Sequence, residues 1–267
     1  MIKLIASDMD GTLLSRQDGL PADFFEVMEK LRAKGIHFLA ASGRSYATLW
    51  QNFEPHSDWV DYICDNGACL VENGEVVQKN LMDRASVQKI IDVCTGLPGI
   101  RLVLCGVHGS YHAAKEPAYG DEISKYYVNE QLREDFASID DDIYKVALLD
   151  LNGPEKNVIP ALREAFGEEL DASLTMLLSG SVWMDVMAAG ITKGVGLRYF
   201  QQRWGIAPEE TMAFGDYFND AAMFDHAYYS FAMENAHPGL KQYARFIAES
   251  NEHNGVLKAI RQYALEE

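Results

Sequence analysis

The chain has 267 residues, 48% hydrophobic and 24% charged. That composition excludes intrinsic disorder and sets an expectation of two domains, or of one domain with a large insertion. The formal net charge is −17 and the isoelectric point is near 4.8. Such a surface repels nucleic-acid phosphates and anionic lipid, so neither is an expected partner, and any phosphate site must be made locally positive by a metal, a basic side chain or backbone amides.

Lys3 introduces a charge too early for a signal peptide. No apolar run approaches the ~20 residues of a membrane span, so a cytoplasmic protein is expected. Leu4-Ile5-Ala6 is a short apolar run ending at Ser7-Asp8, the pattern of a buried parallel strand that delivers polar residues at its C-terminal end. A turn follows at Gly11-Thr12. Pro21 stands where a first helical residue is favoured, Phe24, Val27, Met28 and Leu31 repeat at helical spacing, and Gly35 closes that helix. Ile36 to Ala41 reads as a second strand, exiting at Ser42-Gly43-Arg44, and Tyr62-Ile63-Cys64 as a third, exiting at Asp65-Asn66-Gly67. Polar residues at every strand exit are the grammar of an open parallel α/β sheet, whose ligands bind beyond the carboxyl ends of the strands.

From about Asp83 to Asp185 the texture changes. Helical stretches alternate with strand-like ones at Ile100 to Leu104, Tyr144 to Asp150 and Val182 to Val186, none exiting onto a comparable polar cluster. An inserted α+β domain is expected over 83–188, with Ala188-Ala189-Gly190 as the return hinge and the core divided between 1–82 and 189–267. Thr192 can then cap a helix starting at Lys193, with Gly205 and Pro208 marking its end. Thr211 to Phe214 reads as a strand exiting at Gly215-Asp216, and Tyr228 to Met233 as one exiting at Glu234-Asn235. The four cysteines, Cys64, Cys69, Cys94 and Cys105, form no CxxC pair. They are expected to be buried and reduced rather than zinc ligands.

The chemistry concentrates at the strand exits. Asp8 and Asp10 straddle the first one. A carboxylate needs no prior deprotonation at neutral pH to attack phosphorus, the second can serve as acid and base, and Gly11 lets main-chain N–H groups face an anion. A solvated turn would use the same DxDG. Asp216 offers a hard oxygen ligand for Mg²⁺, and a cation between it and Asp8 would remove the repulsion of facing carboxylates. Asn219 and Asp220 could equally cap a helix. Ser42 with the small-residue amide of Gly43 could form a phosphate pocket or a plain N-cap. Lys193 opposes the helix dipole at a helix start, which hints at neutralising a phosphoryl group, although an exposed surface lysine is the commoner case.

In this order the residues resemble the haloacid dehalogenase-like (HAD) hydrolase superfamily, in its Cof-like branch with a type IIB α/β cap. Asp8-Met9-Asp10-Gly11-Thr12 resembles the nucleophile motif, Ala41-Ser42-Gly43-Arg44 the second motif, and Asp65-Asn66-Gly67-Ala68 the NGA turn. Gly190-Ile191-Thr192-Lys193-Gly194 resembles the lysine motif, and Gly215-Asp216 with Asn219-Asp220-Ala221-Ala222-Met223 the metal motif. Asn235-Ala236 and the Asn251 to Val256 stretch also fit. Tyr217, Phe218, Glu234, Ala188 and Ala189 depart from the usual pattern.

The resemblance implies a Rossmann-like parallel-sheet core and a sugar-phosphate phosphatase. Asp8 would be the nucleophile and Asp10 the acid and base. Mg²⁺ would be held by Asp8, the Asp10 backbone carbonyl and Asp216. Ser42, Gly43, Lys193 and Asn219 would bind phosphate, with Thr12, Arg44, Asn66 and Asp220 in support. The expected partner is a small phosphorylated metabolite, for a monomer or small homo-oligomer. His108, Tyr111, His112 and Lys145 are candidate sugar contacts, while Trp183 is read as core or cap interface. The competing readings are a phosphomutase, a non-hydrolytic phosphosugar-binding protein and a phospho-aspartate signalling protein.

Overall fold

The computed structural model of the protein describes residues 1–15, 19–113 and 115–266. The first segment runs through β1 (Leu4–Ser7), α1 (Phe24–Ala33), β2 (His37–Ala41), α2 (Tyr46–Asn52), β3 (Asp61–Cys64), β4 (Cys69–Glu72) and β5 (Glu75–Lys79). The middle holds α3 (Arg84–Thr95), β6 (Arg101–Gly106), β7 (Ser110–His112), α4 (Pro117–Ser124), β8 (Glu130–Leu132) and β9 (Ile143–Leu149). It continues with α5 (Glu155–Phe166), α6 (Leu170–Ser173), β10 (Leu174–Leu178) and β11 (Trp183–Ala188). The last segment has α7 (Lys193–Trp204), β12 (Thr211–Gly215), α8 (Ala221–Phe224), β13 (Tyr229–Met233), β14 (Phe246–Ala248) and α9 (Gly255–Ile260).

Among the described residues the strands form two sheets. Eight strands from both ends of the chain lie in the order β14-β13-β12-β1-β2-β3-β4-β5, and six from the middle in the order β10-β11-β9-β6-β7-β8. Neighbours from β14 to β3 are parallel, and only the β3–β4–β5 meander is antiparallel. β1 is therefore flanked by β2 and by β12, which follows it by some two hundred residues. Their carboxyl ends open on one edge, where the order reverses and a ligand crevice forms. The β4–β5 hairpin was not anticipated, although Asn73-Gly74 signals it: both residues adopt positive φ, 50° and 81°, the requirement of a tight hairpin turn. α1 begins three residues later than Pro21 suggests, because the Phe24 N–H first closes a turn onto the Pro21 carbonyl at 2.9 Å.

Alternation organises the six-stranded sheet. Leu102, Leu104, Val146 and Leu148 share a buried cluster with Ile90 of α3 and Val158 and Leu162 of α5. Val103, Cys105, Ala147 and Leu149 join Ile123, Tyr127 and Trp183 in another. A period of two turns these sets to opposite faces, and each large buried side chain contributes about 1.5–3 kcal/mol. All four cysteines are free and buried. Among the described residues no helix is long and apolar enough to cross a membrane.

Candidate active site

Asp8 leaves β1 with its N–H bonded to the Phe214 carbonyl of β12 at 3.0 Å. The loop that follows bends at Gly11, where φ is +81° and an added Cβ would stand 2.4 Å from Asp216 Oδ2. Only glycine allows that approach. Asn235 Nδ2 donates to the Gly11 carbonyl at 2.7 Å and Asn251 Nδ2 to the Leu14 carbonyl at 2.9 Å, so two late asparagines fasten the first loop. Thr12 is buried beneath it, with no partner for Oγ1 among the described residues.

Lys193, fully buried, donates to Asp8 Oδ1 at 2.6 Å and to Asp220 Oδ1 at 2.7 Å. It is not the exposed lysine that its helix position allowed. Thr192 caps α7 by accepting from the Val195 N–H at 3.2 Å. Asp220 Oδ2 accepts from the backbone amides of Asp216 and Tyr217 at 2.9 and 3.1 Å, so Asp220 orients both the lysine and the Asp216 turn. Burial pulls the Lys193 ammonium towards neutrality, but Asp220 and Asp8 outweigh it and hold its pKa above the ordinary value.

One oxygen each of Asp8, Asp216 and Asp220 lie within 4.8 Å of one another. Burial, then the charge of Asp220, pushes the Asp8 pKa up to about 7 despite Lys193. Burial and the charges of Asp8 and Asp220 push Asp216 up to about 8. Asp220 is already engaged by lysine and amides, whereas Asp8 Oδ2 is buried without a partner among the described residues. The excess negative charge of Asp8 and Asp216 and the orphaned Asp8 oxygen are what a hard divalent cation would neutralise. The Asp10 carboxylate is outside this group. Arg44 grips it through Nε to Oδ2 at 2.7 Å and Nη2 to Oδ1 at 2.5 Å.

These groups open on a cavity of about 490 Å³. Asp8, Asp10, Ser42, Gly43, Arg44, Asp216 and Asn219 lie on its wall, whereas Thr12, Asn66, Lys193 and Asp220 stand behind it. The facing wall comes from the middle segment and includes Lys145, Trp183 and Asp185 of the six-stranded sheet with Tyr126 and Tyr127 of the loop after α4. Trp183 thus serves both the buried cluster and the cavity. Of the candidate sugar contacts only Lys145 reaches the wall. His108 and Tyr111 are bonded to Asp141 at 2.8 and 2.9 Å, and His112 Nε2 lies 3.4 Å from Glu130. Tyr217 lines the cavity, while Phe218 packs on His237 with ring centroids 4.6 Å apart. Asp185 was missed; a lone carboxylate within Trp183-Met184-Asp185-Val186-Met187 is the signal that could have found it.

A family model described as haloacid dehalogenase-like hydrolase matches residues 5–260. A phosphatase of Escherichia coli (strain K12), named 5-amino-6-(5-phospho-D-ribitylamino)uracil phosphatase YbjI, is 30% identical over 261 residues, covering 97% of this chain and 95% of that protein. SMU.1108c from Streptococcus mutans UA159 is 26% identical, with a TM-score of 0.91 over 99% of this chain and 100% of its own. BT4131, described as a HAD subclass IIB sugar phosphatase, has the same fold, with 24% identity and a TM-score of 0.83 over 98% of this chain and 99% of its own. The matched span joins the first carboxylate loop to the last, and with it the chain belongs to the haloacid dehalogenase-like hydrolase family.

Proposed function

We propose that this phosphatase hydrolyses small phosphate monoesters of the sugar or sugar-alcohol class by passing the phosphoryl group to Asp8 and then to water. The observation that carries the reading is the buried Asp8 carboxylate, with Oδ1 held by Lys193, Oδ2 unpartnered among the described residues, and an oxygen each of Asp216 and Asp220 within 4.8 Å of one of its own. Asp8, Asp216 and the Asp10 backbone carbonyl would hold Mg²⁺. Bound there, Mg²⁺ would neutralise the facing carboxylates and draw charge from the phosphoryl oxygens.

The other roles fall to the chain. Lys193 stays cationic at neutral pH and meets the negative charge that develops on the transferring group. The Ser42 hydroxyl, the Gly43 amide and the Asn219 side chain would take phosphoryl oxygens. Asp10 would protonate the leaving alcohol and then deprotonate the water that attacks the Asp8 acyl phosphate. Because Arg44 occupies both Asp10 oxygens, one of those bonds must loosen when Asp10 carries a proton; the other keeps the carboxyl aimed. Residues 83–188 would act as the cap, excluding water and meeting the leaving group with Tyr126 and Trp183. Such aromatic faces suit a sugar or ribityl chain, and the name of the E. coli relative supports that class.

The test is a phosphate-release screen over sugar phosphates, sugar-alcohol phosphates and nucleotides, with Mg²⁺ and after chelation. Preferential turnover of the first two classes, abolished by EDTA and restored by Mg²⁺, is expected. Indifference to chelation would remove the metal site, and preference for nucleotides would overturn the substrate class.

A further inference from the structure

Alternation along β9 and β11 turns Lys145 and Asp185 to the same face as Ala147, Leu149 and Trp183, and Lys145, Trp183 and Asp185 line the cavity from that face. Both are charged, yet they are only 1% and 2% exposed. Lys145 Nζ donates to Asp185 Oδ1 at 3.0 Å and to the Gly43 carbonyl at 2.6 Å. Asp185 Oδ2 accepts from Asn66 Nδ2 at 2.6 Å, and Asn66 Oδ1 accepts from Asn219 Nδ2 at 3.0 Å. One ion pair on the inserted sheet thus reaches the turn at Ser42 and Gly43 directly, and Asn219 through Asn66.

A buried ion pair is a poor device for stability, because desolvation offsets most of the attraction and an apolar pair often does as well. The rest of β9 is buried and, Lys145 apart, without charge, so apolar side chains would suit these positions if packing were the only demand. Asn66 is itself held in the left-handed region at φ 54°, a conformation that persists where surrounding bonds fix it.

We infer that Lys145 and Asp185 are positioning residues: together they set the Gly43 turn and, through Asn66, the Asn219 amide in the geometry that receives the phosphoryl group. Because the pair belongs to the inserted sheet and its partners to the core, the phosphate pocket is complete only while the two are docked. The inference rests on the reading of Ser42, Gly43 and Asn219 as phosphate ligands.

The test uses the full chain carrying Lys145→Met with Asp185→Asn, which removes both charges of the pair together; Asp65, whose Oδ1 lies 4.0 Å from Lys145 Nζ, is left as a buried carboxyl. Thermal unfolding reports the fold. Kinetics are measured on p-nitrophenyl phosphate and on a turned-over sugar phosphate, with inorganic phosphate as competing inhibitor. The expected result is a folded protein whose kcat falls roughly 10–100-fold on both substrates, with KM moving less and inorganic phosphate inhibiting correspondingly more weakly. Asn66→Gly, which accepts the left-handed backbone, is expected to give the same loss and carries the test if the double variant does not fold. Unchanged kcat and phosphate inhibition in a folded variant would overturn the inference. So would a loss confined to the sugar phosphate, which would make Lys145 a sugar contact. A wild-type protein inactive on both substrates in Mg²⁺ would instead sink the proposed phosphatase chemistry, a distinguishable failure.

Discussion

Lys193 occupies the first position of α7, where the helix dipole disfavours a cation by about 0.3–1 kcal/mol, yet it is buried between two carboxylates at 2.6 and 2.7 Å. The larger electrostatic demand of Asp8 and Asp220 decides its place. Asp8→Asn keeps the shape but removes the proposed nucleophile; kcat is expected to fall by roughly 10³-fold or more, measured on purified protein whose unfolding midpoint stays at or above that of the wild type. Asp65 gives an independent pH test. Burial pushes its pKa up to about 7 from 3.8, with Lys145 lowering it and Asp185 raising it. A raised carboxyl pKa means that the folded state prefers the protonated acid. The contribution of Asp65 to stability is therefore most favourable in acid and is lost as pH rises from about 4 through 7. Asp65→Asn, neutral at every pH, is expected to raise the unfolding midpoint at pH 8 and leave it almost unchanged at pH 4; an equal effect at both would contradict the burial argument. At this scale the sequence made Asp8, Asp10, Asp216 and Lys193 legible, because each ends a recognisable apolar run or starts a helix. Asp185 was not, because its partners Lys145 and Asn66 lie 40 and 119 residues away.

Strands with polar exits explain why the core elements could be read locally, since β1, β2, β3 and β12 each end where a hydrophobic run meets Asp, Ser or Gly. The order in which they pair is non-local, and with it the distance between sites. Gly67 shows how tightly neighbouring elements then fit: φ is +101°, and an added Cβ would lie 2.3 Å from the Thr192 carbonyl at the start of α7. Gly67→Ala is expected to cost about 2–4 kcal/mol, read by denaturant titration, and to lower activity by shifting Lys193. A substitution without effect on either would mean that the turn and the helix are not in register. The strands of the six-stranded sheet were less legible, as their charged residues Lys145 and Asp185 serve contacts made across sheets rather than a local turn.

At the scale of the whole molecule, the proposed phosphate pocket is assembled on a chain of net charge −17. A dianionic substrate approaching it is repelled at long range, and salt screens that repulsion within a Debye length of about 8 Å at physiological ionic strength. The second-order constant kcat/KM is therefore expected to rise as ionic strength increases from about 0.01 to 0.15 M, in an assay at fixed Mg²⁺; a fall would mean that local positive charge dominates the approach. The phosphoryl transfer itself is tested most directly with Asp10→Asn, which leaves Asp8 in place but removes the group that would deprotonate the attacking water. The protein is incubated with Mg²⁺ and acetyl phosphate, quenched in acid and mapped by peptide mass spectrometry. A phosphoryl group on Asp8 that accumulates in this variant and turns over in the wild type is the expected result. A label on another residue, or no label while acetyl phosphate is consumed, would contradict it.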